Sequence, residues 1–417
     1  MFYFFCMTII AGFAIDFRIW RRITPLIASY MGVLIILMAH SLFGERMGFV
    51  AVNESVYIYI LTFYAIGLLA SILCAFSMAW FTRGGEIPIS RNKINENRTS
   101  GFIIYLAVCI AILCAYFIYF FGNKLGSYVS EDFENSLTYG VPGHTFAILV
   151  ALVPFILKKY HYTKSNKLLF FLFVILLLLF MKQVKYWVMV SFVWMIWYSV
   201  SAGYIKLNIT KAVLLSFSIS VLLMVLFFLV YLMKVTLSSN SGIDYLSVLY
   251  DIMIHFFGYL YSGILTFSIY ISKGLYNQLD AKDILGLFSG PVNVLNILIG
   301  EKIISLDITR PFVTLNEYSG TVGNVPSLWG TLLLAGGYLS LPIYFLIIFL
   351  ISVLQWFSKR SNLALIIYTF LTSFLFFSWF DYYYYLLMPF EVSVLCVIFY
   401  IVFERRARNT KTEEINL

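Results

Sequence analysis

Charged residues are scarce in this 417-residue sequence. Asp, Glu, Lys and Arg make up 12% of the chain, 62% of the residues are hydrophobic, and the mean hydropathy is +0.91. Soluble globular proteins carry about 25% charged residues. This large number of apolar side chains cannot all face a globular core. Lipid must therefore be the solvent for much of the surface. The composition excludes a soluble globular protein and predicts a polytopic membrane protein.

Motifs for metal, phosphate-loop or serine-nucleophile chemistry are also absent. The five cysteines lie within apolar runs, without a paired-cysteine or His-x-x-x-His pattern. The sequence has no Gly-rich phosphate loop with a lysine and no Gly-x-Ser-x-Gly elbow. We therefore expect packing cysteines without disulfides, no metal and no cofactor.

The first apolar run, Met1–Ile15, lacks a basic n-region and a small-residue cleavage site. We interpret it as a retained helix rather than a signal peptide. At about 15 residues it is short for a membrane span, which fits a natural start upstream of Met1.

Apolar runs of roughly bilayer length predict an all-α fold with about eleven transmembrane helices in one multi-spanning domain, 1–417. The predicted helices are Phe2–Ile15, Ile23–Phe43, Val56–Phe81, Phe102–Phe121, Val141–Leu157, Leu168–Met181, Tyr186–Tyr204, Ala212–Met233, Leu328–Phe357, Leu363–Phe380 and Leu386–Phe403. Between the eighth and ninth helices lies one large loop, 234–328. Loops of this length are usually functional.

Most of the 28 Lys and Arg residues fall in alternate connections between these helices. The positive-inside rule places those connections and the C-terminus in the cytoplasm, and the large loop outside. The net charge of +8 is therefore a topology signal rather than a nucleic-acid footprint, and we expect no nucleic-acid partner.

The stretch Ile252–Ser272 within the large loop is apolar enough for a twelfth span. Counting it would move Lys359, Arg360 and the basic tail outside, which the charge rule disfavours. We predict instead an interfacial or re-entrant helix on the outer face, with a second such piece at Leu285–Ile299, broken by Gly290-Pro291.

Cations at the predicted outer face suggest a site for a phosphorylated lipid. Lys182 and Lys185 occupy a tight outer turn, and Arg310 lies in the large loop. Lys and Arg bind phosphoryl oxygens strongly, so an outward cavity lined by them suits a lipid-linked diphosphate. The alternative is that the lysines snorkel to lipid headgroups and that Arg310 pairs with Asp307 or Glu317.

A nearby carboxylate or histidine could accept a proton from an attacking sugar hydroxyl. Glu391 lies about two turns into the last predicted helix, and His255 lies in the large loop. His255 could also be a packing histidine, and His40 and His144 are weaker candidates. The Tyr382–Tyr385 run is typical of an aromatic belt at the membrane interface, and its rings could also stack on sugar rings.

The order of helices, the large outer loop and one motif together resemble the Wzy-type O-antigen polymerases. The motif is Asn324-Val325-Pro326-Ser327-Leu328-Trp329-Gly330, which leads into Gly336-Gly337. In that family the large loop carries a tyrosine-rich helix, to which Tyr259-Leu260-Tyr261-Ser262-Gly263 through Phe267 is similar. Many members have a Ser-Arg-Gly turn where this chain has the Lys182–Lys185 hairpin.

The resemblance implies a GT-C-type glycosyltransferase of the bacterial inner membrane. Such an enzyme joins undecaprenyl-diphosphate-linked oligosaccharide repeat units into O-antigen on the periplasmic face, without a metal, and a chain-length regulator is an expected partner. The hypothesis assigns diphosphate or sugar binding to Lys182, Lys185, Arg310, Asn324 and Tyr259, and the role of catalytic base to His255 or Glu391.

Two other functions stay open at this point. An O-antigen ligase has the same broad architecture and differs in the acceptor that it needs. A flippase for lipid-linked oligosaccharides belongs to another class, and many transporters carry inverted repeats that this sequence does not show.

Overall fold

The computed structural model of the protein describes residues 1–82, 101–206, 245–275, 281–300 and 310–405. These residues are mostly helical. They belong to two compact units along the chain. The first unit is formed by Met1–Arg83, Leu207–Val353 and Phe374–Leu386, and the second by Gly84–Lys206, Leu354–Ser373 and Leu387–Leu417.

The described part of the chain contains fifteen α-helices and one short β-hairpin. The helices are α1 (Phe2–Trp20), α2 (Pro25–Ala39), α3 (Glu54–Thr82), α4 (Gly101–Leu125), α5 (Glu131–Thr138), α6 (Gly140–Thr163), α7 (Asn166–Met181), α8 (Lys185–Ser201), α9 (Tyr245–Ser272), α10 (Ala281–Gly286), α11 (Ser289–Ile299), α12 (Leu328–Gly336), α13 (Ser340–Phe357), α14 (Asn362–Leu375) and α15 (Met388–Phe399). The hairpin pairs β1 (Val313–Thr314) with β2 (Val322–Gly323).

The helices confirm an all-α, multi-pass membrane protein. Ten of the eleven predicted helices lie in described residues and are helical over most of their length, although the helix predicted to end at Phe380 ends at Leu375; the other, Ala212–Met233, lies outside them. Seven segments are long and apolar enough to cross a membrane: Phe2–Trp20, Pro25–Met47, Glu54–Phe81, Gly101–Leu125, Gly140–Thr163, Tyr250–Ser272 and Leu328–Phe357. Four further apolar helices are shorter than these seven segments. The count of eleven membrane spans therefore stays a prediction.

Three segments differ from or refine the sequence predictions. The run Leu328–Phe357 is broken after α12, because Gly337 adopts a φ of 48° that ends the helix. Helix α9 begins at Tyr245 and is longer than predicted, and its part 250–272 meets the length and hydropathy of a span. The break predicted at Gly290-Pro291 lies elsewhere: one helix ends at Gly286 and α11 begins at Ser289, so Pro291 falls in the first turn of α11, where proline is tolerated.

In the second unit, α6 and α15 run in parallel. His144 contacts Glu391, Cys396 Sγ lies 3.6 Å from the Ala151 carbonyl oxygen, and Phe155 packs edge-on against Phe399. Helices α4, α7 and α8 pack against α6, with α5 at one end. That end carries the start of α6, the turn between α7 and α8, and the start of α15.

In the first unit, a close backbone contact fixes the chain after α14. A Cβ atom on Gly263 of α9 would lie 2.1 Å from the Trp379 carbonyl oxygen. Ser327 N donates to the Gly263 carbonyl (2.8 Å), and Leu328 N donates to the Ser378 carbonyl (2.8 Å). Because Gly263 lacks a side chain, the turn after α14 and the start of α12 can both approach α9.

The β-hairpin positions two of the predicted site residues of the first unit. Val313 pairs with Gly323 and Thr314 with Val322 in antiparallel register. Arg310 lies three residues before β1, and Asn324 directly follows β2.

Candidate functional site

A histidine and a carboxylate form a hydrogen-bonded pair at one end of the second unit. His144 Nδ1 lies 2.6 Å from Glu391 Oε1, with 57% of the histidine side chain and 20% of the glutamate side chain exposed. The prediction that Glu391 lies two turns into its helix is wrong, because α15 begins only at Met388. A carboxylate that holds an imidazole in this way orients it and makes it a better base.

Lys182 is buried beside this pair in the second unit, in the turn between α7 and α8. Its side chain is fully buried, and Nζ lies 3.4 Å from the Trp187 ring centroid and 5.2 Å from the Phe146 ring centroid. Nζ makes no hydrogen bond within the described residues. A snorkelling lysine keeps its amine in water, so that alternative is wrong for Lys182.

Burial lowers the pKa of the Lys182 amine to about 7, although Cys114, Glu391 and Glu134 oppose this shift. Desolvation disfavours the charged form of a buried amine, and nearby carboxylates favour it. Here desolvation is the larger effect. Burial therefore favours the neutral form of the Lys182 amine.

Lys185 and Glu134 lie at the same end of the second unit. Lys185 is the first residue of α8 and is exposed, whereas Glu134 on α5 is half-buried. Burial raises the pKa of the Glu134 carboxyl, and Lys185 and Lys182 partly offset this. Both lysines are therefore close enough to Glu134 to interact with it electrostatically.

The second-unit site contains residues that the sequence did not single out for a site role. Glu134 had no predicted role in a site, and His144 was ranked below His255. Glu391 and His144 are 247 residues apart, so spacing could not have paired them. The one available signal was the acidic first turn of α5 next to a short, lysine-containing hairpin.

In the first unit, Arg310 pairs with Asp381 rather than with Glu317, one of its two predicted partners; the other, Asp307, lies outside the described residues. Arg310 Nη1 lies 3.1 Å from Asp381 Oδ1 and 3.0 Å from Oδ2. The guanidinium also lies over the Tyr385 ring at 4.8 Å. Although burial alone would lower the pKa of Arg310, Asp381 and Tyr385 raise it above its ordinary value.

The Asp381 carboxylate has further partners in the first unit. Tyr382 N donates to Oδ1 (2.7 Å), Tyr385 Oη donates to Oδ2 (3.3 Å), and Thr331 Oγ1 lies 3.3 Å from Oδ1. Tyr382, Tyr383 and Tyr384 are buried. The interpretation of this run as a lipid-facing aromatic belt is therefore wrong, because these rings pack inside the protein.

The remaining predicted site residues belong to the first unit. His255 is half-buried on α9, with its ring edge-on to Tyr259 at 5.1 Å. Tyr259 is 38% exposed and stacks on Phe380 with a centroid distance of 6.5 Å. Asn324 is half-buried. Their assigned roles stay predictions.

The fold and these two groups of residues define a multi-pass, all-α membrane protein with ionisable residues collected at helix ends. Residues 56–409 match a family of unknown function (DUF6337), and the chain belongs to that family. No curated protein and no solved structure matches the chain. The resemblance to the Wzy-type polymerases is not addressed by this family match and stays a prediction.

Proposed function

We propose that the protein is a glycosyltransferase of the bacterial inner membrane. It joins undecaprenyl-diphosphate-linked oligosaccharide repeat units into a surface polysaccharide on the periplasmic face. The observation that supports this most is the second-unit site, where the hydrogen-bonded pair His144–Glu391 and the buried amine of Lys182 lie at one end of a helix bundle. Transfer of a glycosyl group from a diphosphate without a metal needs a base and cations.

The charge distribution of the second unit supports an outward-facing site. The connection from α6 to α7, at the opposite end, contains Lys158, Lys159, Lys164 and Lys167, and its sequence 157–167 has no Asp or Glu. The site end contains the acidic helix α5 instead. By the positive-inside rule, the lysine-rich end faces the cytoplasm and the site faces the periplasm.

The proposed mechanism uses His144 as the base, with Glu391 as its positioning residue. Because Nδ1 donates to the Glu391 carboxylate, the imidazole presents Nε2 to the acceptor sugar. Nε2 takes the hydroxyl proton while the sugar oxygen attacks the anomeric carbon of the donor. The bond from that carbon to the diphosphate breaks, and its electron pair goes to the diphosphate oxygen. Lys182 and Lys185 stabilise the charge that develops there.

Chain extension in vitro, with purified protein and lipid-linked repeat units, tests the assignment of the base. His144→Ala is expected to lower the rate about 100-fold or more, because it removes general-base catalysis. His255→Ala is the matched control, since His255 packs against Tyr259 in the first unit. Loss of activity in His255→Ala, with His144→Ala active, would transfer the role to His255.

Gel electrophoresis of lipopolysaccharide from cells that lack the gene tests the class of function. In such gels, polymers of increasing length on the lipid A-core give a ladder of bands. A core that carries a single repeat unit, without a ladder, is the result expected for a polymerase. A bare core with lipid-linked polymer would show a ligase, and a bare core with single lipid-linked units held in the cytoplasmic leaflet would show a flippase. An unchanged ladder would exclude all three functions for this glycan.

A further inference from the structure

The amine of Lys182 has no hydrogen-bond acceptor within the described residues. Its side chain is fully buried, and aromatic rings lie around Nζ. A buried ammonium without a hydrogen-bonded partner is costly, and a methionine would fill the same space without that cost. An amine in this position therefore suggests a ligand that supplies the missing acceptor.

A buried hydroxyl lies on α8, which begins three residues after Lys182. Ser191 is four residues after Trp187 on α8, so the two side chains lie on one side of the helix. Ser191 Oγ is buried and, among the residues that the structure describes, makes no hydrogen bond. Within a helix, a serine hydroxyl commonly bonds to the carbonyl four residues earlier. An amine without an acceptor favours a ligand rich in acceptor oxygens, as a phosphoryl group is, and Ser191 is a further buried donor on the helix that follows.

The ionisable groups that face Lys182 come from the helices packed around it. They are Cys114 of α4, Glu134 of α5 and Glu391 of α15, with His144 of α6 bound to Glu391 and Lys185 near Glu134. None of these groups forms a hydrogen bond with Nζ. Glu134 also interacts with Lys185, and Glu391 is hydrogen-bonded to His144, so neither carboxylate serves Lys182 alone.

We propose that Lys182 binds the diphosphate of the lipid-linked donor together with a proton, so that the amine is neutral in the empty site and becomes an ammonium when the diphosphate enters. This inference rests on the proposed function and adds the protonation of its anion site. The proton comes from water and no covalent bond changes. When the lipid diphosphate leaves after glycosyl transfer, the proton leaves with it or returns to water.

The physical basis is that an anion at van der Waals distance favours the charged form of the amine. Since burial sets the pKa of the empty site near 7, most of the amine is neutral at pH 8. Binding should then weaken about tenfold for each pH unit above 7, as long as the ligand keeps its own charge.

The experiment uses the full chain in lipid nanodiscs and geranylgeranyl diphosphate as the probe. Titration calorimetry at pH 8, in two phosphate-free buffers of different ionisation enthalpy, measures the protons taken up on binding. We expect the wild type to take up about 0.9 proton more than Lys182→Met, which should also bind the probe at least about tenfold more weakly. Lys185→Met is the matched control, and we expect weaker binding with the wild-type proton uptake.

Equal affinity in the wild type and Lys182→Met, equal proton uptake in the two, or no binding of the probe to the wild type would each overturn the proposal. Lys182→Arg provides a second test if Lys182→Met does not fold. A guanidinium is always charged, so this variant should bind the probe without the additional proton. The probe carries no sugar, so proton uptake can be observed even if the chain-extension assay disproves a glycosyltransferase.

Discussion

Arg310 Nη1 contacts both carboxylate oxygens of Asp381, which lies 71 residues later in the chain. The contact joins the end of the large loop to the turn that follows α14 in the first unit. The side chains are only 11% and 5% exposed. Loss of one partner would leave the other charge buried and unpaired, so this ion pair is a determinant of the loop conformation.

Arg310→Ala is expected to destabilise the protein by about 3–5 kcal/mol, because it leaves the Asp381 carboxylate buried without its cation. Thermal unfolding in detergent measures this. The double variant Arg310→Ala/Asp381→Asn should recover part of the loss, since neither charge of this pair then remains. If Arg310→Ala kept wild-type stability but no longer bound geranylgeranyl diphosphate, Arg310 would bind the diphosphate, as the sequence predicts.

Gly263→Ala is expected to lower the stability of the first unit by about 1–3 kcal/mol or more. The new methyl group would lie 2.1 Å from the Trp379 carbonyl oxygen and 2.5 Å from that of Phe380. Backbone atoms cannot rotate away as a side chain can, so α9 or the turn must shift.

The control for this prediction is Gly101→Ala at the start of α4, where an added Cβ would have no neighbour within 4 Å. Alanine is the better helix former, so the control should be neutral or slightly stabilising. Equal unfolding temperatures for Gly263→Ala and the wild type would mean that the close approach of Gly263 to Trp379 is not required.

The sequence predicted the helices well because each depends on a local run of apolar residues. It predicted an interruption in Leu285–Ile299 but placed it at Gly290-Pro291, whereas the helices break at 287–288 and the proline is accommodated in the first turn of α11. The break at Gly337 was missed, because an apolar run around a glycine pair does not reveal which backbone conformation the glycine adopts.

The site was harder to predict because its contacts join distant parts of the chain. Sequence reasoning selected Lys182, Glu391 and Arg310 as costly ionisable residues. It could not pair Glu391 with His144 or Arg310 with Asp381, because nothing local encodes those contacts. The burial of Lys182 was equally hidden, since a lysine in a short turn is usually exposed.

Glu391→Gln and His144→Ala should lower the rate of chain extension by similar factors, and the double variant should be little worse than His144→Ala. The two residues act as one unit in the proposed mechanism, and effects within such a unit are not additive. Glu391→Gln should also change the pH profile, because a neutral amide no longer favours the imidazolium. Rate losses that multiply in the double variant would mean that the two side chains act independently.

Lys182→Met is expected to be more stable than the wild type at pH 7, by about 1–4 kcal/mol in the free energy of unfolding. The amine has a pKa of about 7 when buried and an ordinary value of 10.5 when the chain unfolds. Between these two pH values the unfolded chain binds more protons than the folded one, so the stability of the wild type rises with pH. The advantage of Lys182→Met should therefore shrink as the pH approaches 10.

Unfolding temperatures of the wild type and Lys182→Met at pH 7, 8.5 and 10 measure this trend. Lys185→Met removes an exposed lysine from the same end of the second unit and should show no comparable dependence on pH. A gain in stability that comes with a loss of probe binding is the signature of a residue kept for function rather than for folding. If Lys182→Met were less stable than the wild type at pH 7, the amine would instead contribute to the fold, through its contact with the Trp187 ring.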